Sequence, residues 1–170
     1  MNYTGTPNDL PMVCNALNST YNPGWVFTDE GGKIEYTLVD VNTGVSVIAD
    51  PVPGSPSINN GAWHHIVLTI DKSAMMAATY VDGMQVDLRS ITGLGSLDTT
   101  NNVVFGQDPS GTYGETSNIN GTYSIDDVGI WRRALSSYEA ESIYAVARAY
   151  NHTFDTIERI PVNINRVGAS

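Results

Sequence analysis

The chain has 170 residues, 41% of them hydrophobic, which suits one domain built around a single sizeable core. Eighteen acidic residues against eight basic ones give a formal net charge of −10, which repels phosphate backbones and anionic headgroups and argues against nucleic acid and membrane partners. The single cysteine, Cys14, allows neither an intrachain disulfide nor a cysteine-built zinc site, and no run approaches the ~20 apolar residues of a membrane span.

Short apolar runs separated by Gly, Pro, Asn and Asp clusters punctuate the chain in the manner of an all-β sandwich or jelly roll. Strands are expected at 10–15, 25–28, 33–39, 45–49, 63–71, 77–81, 84–88, 103–106 and 123–131, with a last extended run at 155–164. Residues 51–60, with three prolines, read as a loop. In the 63–71 run both alternating faces are apolar, which predicts a central strand covered on both sides with Trp63 in the core. Asp82-Gly83 between two β-prone arms predicts a hairpin closed by a type I′ turn. A helix is expected to start at Ser136, where the Ser-Ser-Tyr-Glu spacing allows a capping box with Glu139; Ala140, Ile143, Tyr144 and Ala147 then share one face. No repeat or domain-separating linker interrupts the chain, so 1–170 reads as one domain, with 151–170 a terminal strand or tail.

Five segments carry a family resemblance: G-A-W-H-H-I-V at 61–67, Y-V-D-G at 80–83, F-G-Q-D at 105–108, I-D-D-V-G-I-W at 125–131 and R-A-L-S at 133–136. In order and spacing they resemble the laminin G-like, concanavalin A-like jelly-roll family, strongly over 61–150 and more weakly over 9–39. The resemblance implies a two-sheet antiparallel sandwich with one short helix in the C-terminal half. It also implies a non-catalytic module of secreted or surface proteins that binds glycans or other proteins, often with calcium. Such domains open with further strands, including an F-D-G-x-x-D-Y segment that can supply a calcium-ligating carboxylate, and this sequence starts after that point. The matching strand position is then absent by truncation, filled by 155–164, or filled by another chain; left unfilled it would be a sheet edge through which copies could associate.

Candidate chemistry is sparse. Asp126 and Asp127, adjacent in an expected strand, should face opposite ways, so at least one carboxylate should be partly buried, held by backbone amides or arginine or by calcium. Asp108 opens a loop of oxygen ligands and glycines, D-P-S-G-T-Y-G-E, that suits either a solvated turn or a calcium site without EF-hand spacing. These three aspartates are the metal candidates, and calcium is the one cofactor expected. Tyr21, Trp25 and Tyr113 are the candidates for stacking on a sugar, because Trp131, like Trp63, sits in an apolar strand pattern that reads as core. His64 and His65 should face apart, and Cys14 should be a small core residue.

The reading is a lectin-like carbohydrate-binding module of an extracellular or cell-surface protein, with a polysaccharide or glycan and neighbouring domains of a larger secreted protein as partners. Four N-x-S/T sequons, at Asn2, Asn18, Asn120 and Asn151, agree with export, and any export signal is expected outside this sequence. A structural or adhesive protein-interaction domain is the alternative. A glycoside hydrolase is disfavoured, because the E-x-D carboxylate pattern of laminarinase-like relatives does not occur.

Overall fold

A computed structural model describes residues 1–5, 10–17, 22–111 and 123–151. Its strands are β1 (Asn2–Tyr3), β2 (Leu10–Cys14), β3 (Gly24–Glu30), β4 (Lys33–Val39), β5 (Ser46–Ala49), β6 (Ile66–Asp71), β7 (Met76–Val81), β8 (Met84–Ser90), β9 (Val104–Phe105) and β10 (Tyr123–Ser124), followed by the helix α1 (Ser137–Asn151). All pairings are antiparallel. The main sheet runs β5-β4-β3-β2-β9, the opposing one β6-β7-β8, and β1 pairs with β10. The expected two-sheet sandwich with one helix is therefore present.

The core forms where the two sheets present their apolar alternation to each other. Phe27 of β3 and Ile34, Tyr36 and Leu38 of β4 meet Ala77 and Val81 of β7, with Val52, Ile58, Ile91 and Leu94 sealing the layer from loops. Antiparallel alternation makes this possible: register pairs Phe27 with Tyr36 and Asp29 with Ile34, so these side chains share one face. The opposite face of β6-β7 is covered by the helix, through Val67, Ala78 and Tyr80 against Leu135 and Ala140. Both faces of β6 are thus covered, as expected, but β7 is the central strand of that sheet, and β6 pairs only with β7 among the described residues.

Local signals behave as the sequence indicates. Asp82 and Gly83 take φ values of 51° and 78°, and Val81 pairs with Met84 across the two-residue turn. The helix starts with a reciprocal cap: Glu139 N donates to Ser136 Oγ at 3.3 Å, and Ser136 N donates to Glu139 Oε2 at 2.8 Å. Arg133 grips the same carboxylate, and its bonds together with those from Ser136 hold Glu139 down to about 2. Removing the hydroxyl with Ser136→Ala should cost about 1 kcal/mol in a urea melt, and a variant as stable as the parent would show the cap to be idle.

Three expectations fail. The 123–131 run is strand only at Tyr123–Ser124, where β1 pairs with it; beyond that point Asp127 adopts φ 51° and the extended path ends. Trp131 is 46% exposed, with its ring folded back over Gly129, so it is not core. Trp63 is also 46% exposed, because the strand begins only at Ile66 and leaves the tryptophan in the preceding loop. The tail at 155–164 lies outside the described residues.

One buried acid sits in the main sheet. Asp29 is fully buried, accepts the Tyr3 hydroxyl on Oδ2 and the Gly32 amide on Oδ1 at 3.2 Å. Burial outweighs these bonds and pushes its carboxyl up to about 6. A native pKa above the unfolded value of about 3.9 means that the native state binds this proton more tightly, so the contribution is complete below that value. It is lost as pH rises through about 6. The urea midpoint should accordingly fall between about pH 5 and about pH 7 more steeply in the parent than in Asp29→Asn; parallel pH profiles would refute this.

Candidate functional site

At one end of the main sheet three connections come together around Asn15, the residue after β2. Its backbone N–H donates to Trp25 O at 3.0 Å, and its side-chain oxygen accepts Trp25 N at 2.8 Å. Its Nδ2 donates to Leu97 O at 3.3 Å, while Thr99 Oγ1 and Asn101 Nδ2 both donate to Asn15 O, at 3.2 and 3.1 Å. One asparagine therefore binds the β2–β3 connection to the long β8–β9 loop. Gly24 is required beside it: φ is +117°, and an added Cβ would fall 2.5 Å from Asn15 Oδ1.

A second hub follows β4. Asp40 accepts Asn42 N at 2.9 Å, Thr43 Oγ1 at 2.6 Å and, from the far loop, Gly95 N at 3.0 Å; these bonds hold its carboxyl below the usual range. Next to it, Val41 N donates to Ser96 O at 2.9 Å. Lys72 reaches the same loop, donating to Leu94 O and Gly95 O.

Between these anchored loops lies a groove of about 330 Å³ lined by Leu17, Asn22, Pro23, Val41, Asp98, Thr99, Thr100 and Asn101. Among the described residues, three apolar side chains line it beside carbonyl, hydroxyl and carboxylate groups, and none of the lining side chains is cationic. The groove can thus offer an apolar surface together with hydrogen-bond donors and acceptors. None of these residues stood out in the sequence. The signal available was the polar run D-T-T-N-N at 98–102, inconspicuous in a chain rich in such runs.

The sequence candidates distribute differently. Trp25 lies on β3, half-buried against the main core, and supplies its backbone to Asn15. Tyr21, next in sequence to the groove residue Asn22, lies outside the described residues, as does Tyr113. Asp108 is buried, and both of its carboxylate oxygens accept Ser110 Oγ, at 2.7 and 2.8 Å. Asp126 and Asp127 are both exposed, contrary to the expectation that one is partly buried, because the strand that would have turned one inward is absent. Asp126 Oδ1 accepts the amide of its neighbour Asp127 at 2.9 Å. Among the described residues no three His, Cys, Asp or Glu side chains converge as a metal-holding group.

The remaining titratable groups are structural. Cys14 is fully buried and donates to Gln107 O at 3.2 Å; burial, with the Asp108 charge adding to it, pushes its thiol up to about 12. The histidines face apart as expected: His64 Nδ1 meets Asp82 Oδ2 at 2.8 Å, whereas His65 stacks on Tyr144 with ring centres 6.0 Å apart. Burial lowers the His65 pKa.

Several solved toxin binding domains contain a similar architecture. The binding domain of botulinum neurotoxin serotype G superposes with a TM-score of 0.56 at 21% identity, covering 85% of this chain and 32% of that one. The binding domain of paraclostridial mosquitocidal protein 1 gives 0.54 at 17% identity, covering 84% and 37%. The serotype D binding domain gives 0.53 at 20%, covering 82% and 33%. At these identities the likeness establishes the fold, and the chain spans about a third of each of those domains. No curated protein matches the sequence. The profile of the concanavalin A-like lectin/glucanases superfamily matches residues 4–141 of the 170, and the chain belongs to that superfamily.

Proposed function

We propose that this chain is a non-catalytic carbohydrate-binding module of an extracellular or cell-surface protein, and that it takes a neutral sugar chain in the groove at the Asn15 end. The observation that carries this reading is the composition of the groove wall, with Leu17, Pro23 and Val41 beside Asn22, Asp98, Thr99, Thr100 and Asn101. A sugar ring presents an apolar C–H face and a rim of hydroxyls, and needs both kinds of surface together. Among the described residues the lining holds no cation to pair with an anionic sugar, and the chain's net charge of −10 opposes one as well. The toxin binding domains of the same fold support a binding role.

Glycoside hydrolysis requires two carboxyl groups about 5–9 Å apart on either side of the bond. Among the described residues the groove lining contains one, Asp98, which favours binding over cleavage. Asp98 and Thr100 are exposed, so truncating them should leave the fold intact. In affinity gels cast with neutral polysaccharides, the parent should be retarded in at least one, and Asp98→Ala with Thr100→Ala should weaken that retardation about tenfold at unchanged melting temperature. Migration as in a blank gel across the whole panel would favour a spacer or adhesive domain, and release of reducing sugar would favour an enzyme.

Calcium is a separate proposal and rests on Asp108, the one buried member of the three candidate aspartates. An ion bound there to the native state alone would stabilise it by mass action. Chelation should then lower the melting temperature of the parent and leave Asp108→Asn unaffected. An unchanged parent, together with no calcium by elemental analysis, would remove the ion from the proposal.

A further inference from the structure

The polar side chains of the groove are not equally available to a ligand. Thr99 Oγ1 donates to Asn15 O at 3.2 Å and accepts Asn101 N at 3.2 Å, so its hydroxyl already serves in both roles. Asn101 is engaged at one end only. Its Nδ2 donates to Asn15 O at 3.1 Å, which orients the amide and leaves Oδ1 without a partner among the described residues. The Asp98 carboxylate and the Asn22 and Thr100 side chains make no bond there either.

The apolar part of the lining has its own character. Leu17 and Pro23 come from the two ends of the β2–β3 connection and Val41 from the start of the connection after β4, so aliphatic groups reach the groove from two separate segments. Leu17 is 40% exposed, which gives it surface to cover a ligand. Side chains of this shape close around a methyl group, whereas the flat C–H face of a sugar ring stacks best on an aromatic plane. The groove thus combines a methyl-sized apolar wall with an oriented, unpartnered amide oxygen.

We propose, resting on the carbohydrate reading of this groove, that the sugar it selects is an N-acetylhexosamine. An acetamide unites what the wall asks for, a methyl beside one N–H donor and one C=O acceptor. Its methyl packs against Leu17, Pro23 and Val41, its N–H donates to Asn101 Oδ1, and its carbonyl accepts from Asn22; the ring hydroxyls are left for Asp98 and Thr100. The parent hexose carries a hydroxyl at the same carbon and leaves the aliphatic wall uncovered. The free amino sugar is the competitor that charge favours, since its ammonium is drawn to Asp98 and to the net charge of −10, but it brings no methyl. A methyl placed in an apolar pocket is worth about tenfold or more in selection.

The test compares sugars that differ at one carbon. The methyl glycosides of N-acetylglucosamine, glucose and glucosamine, and the corresponding three of the galactose series, are titrated into isotope-labelled protein while the backbone amides of 98–101 are followed by NMR. In at least one series the acetamido sugar should shift these amides and bind about tenfold or more tighter than its hydroxyl counterpart. Leu17→Ala, at an exposed position, should remove most of that preference at unchanged melting temperature, and Val41→Thr should do the same from the other segment. The inference is overturned if in both series the hydroxyl or amino sugar binds as tightly, if the shifted amides lie away from the groove, or if both variants keep the full preference. It is also overturned if neither acetamido sugar binds. In that case retardation by another neutral polysaccharide would leave the carbohydrate reading standing and remove only the N-acetyl assignment, whereas migration as in a blank gel throughout would remove both.

Discussion

β4 is the strand on which the rest of the molecule depends. It lies between β3 and β5 in the main sheet, and Ile34, Tyr36 and Leu38 on its inner face are all fully buried against the opposing sheet. Its other face is covered too, at Thr37 and Val39. Side chains of this size contribute roughly 1.5–3 kcal/mol each on burial, so the strand's position is set by the core and not by its ends. The chain then passes directly from Val39 into Asp40 and Val41, which hold Gly95 and Ser96 of the far loop. The groove thereby inherits its geometry from the core: a shift of β4 would move Val41, Asp40 and, through them, the 94–101 wall.

The acids show how one residue type serves opposite ends. Asp29 and Asp40 are both buried, yet their pKa values move in opposite directions. Asp29 has two hydrogen bonds, and these do not offset the loss of water around it, so its proton is held more tightly. Asp40 sits where backbone amides and a threonine hydroxyl converge, and these favour the ionised form. The first is part of the core; the second is a clamp that ties a loop to the sheet. A net charge of −10 therefore includes carboxylates engaged in structure as well as those that face solvent.

What the sequence made legible was what is local. The Asp82-Gly83 turn and the Ser136–Glu139 cap each need only a few consecutive residues, and both form as their spacing indicates. The sandwich was legible because alternation and turn residues repeat along the chain. The groove was not, because Asn15, Val41 and Thr99 come together only after three distant loops have been placed, and no spacing in the sequence records that. Trp63 and Trp131 were misread for a related reason. Alternation identifies an apolar face but assumes that the strand continues; here β6 begins at Ile66 and the strand at Tyr123 ends at Ser124, so both indoles lie beyond the sheet.

That difference is clearest at the groove. The groove is over-determined: Asn15 ties the connection after β2 to the 97–101 loop and to Trp25, and Asp40 ties the connection after β4 to Gly95. A ligand taken in the groove, as proposed for a neutral sugar, would meet a surface of fixed shape.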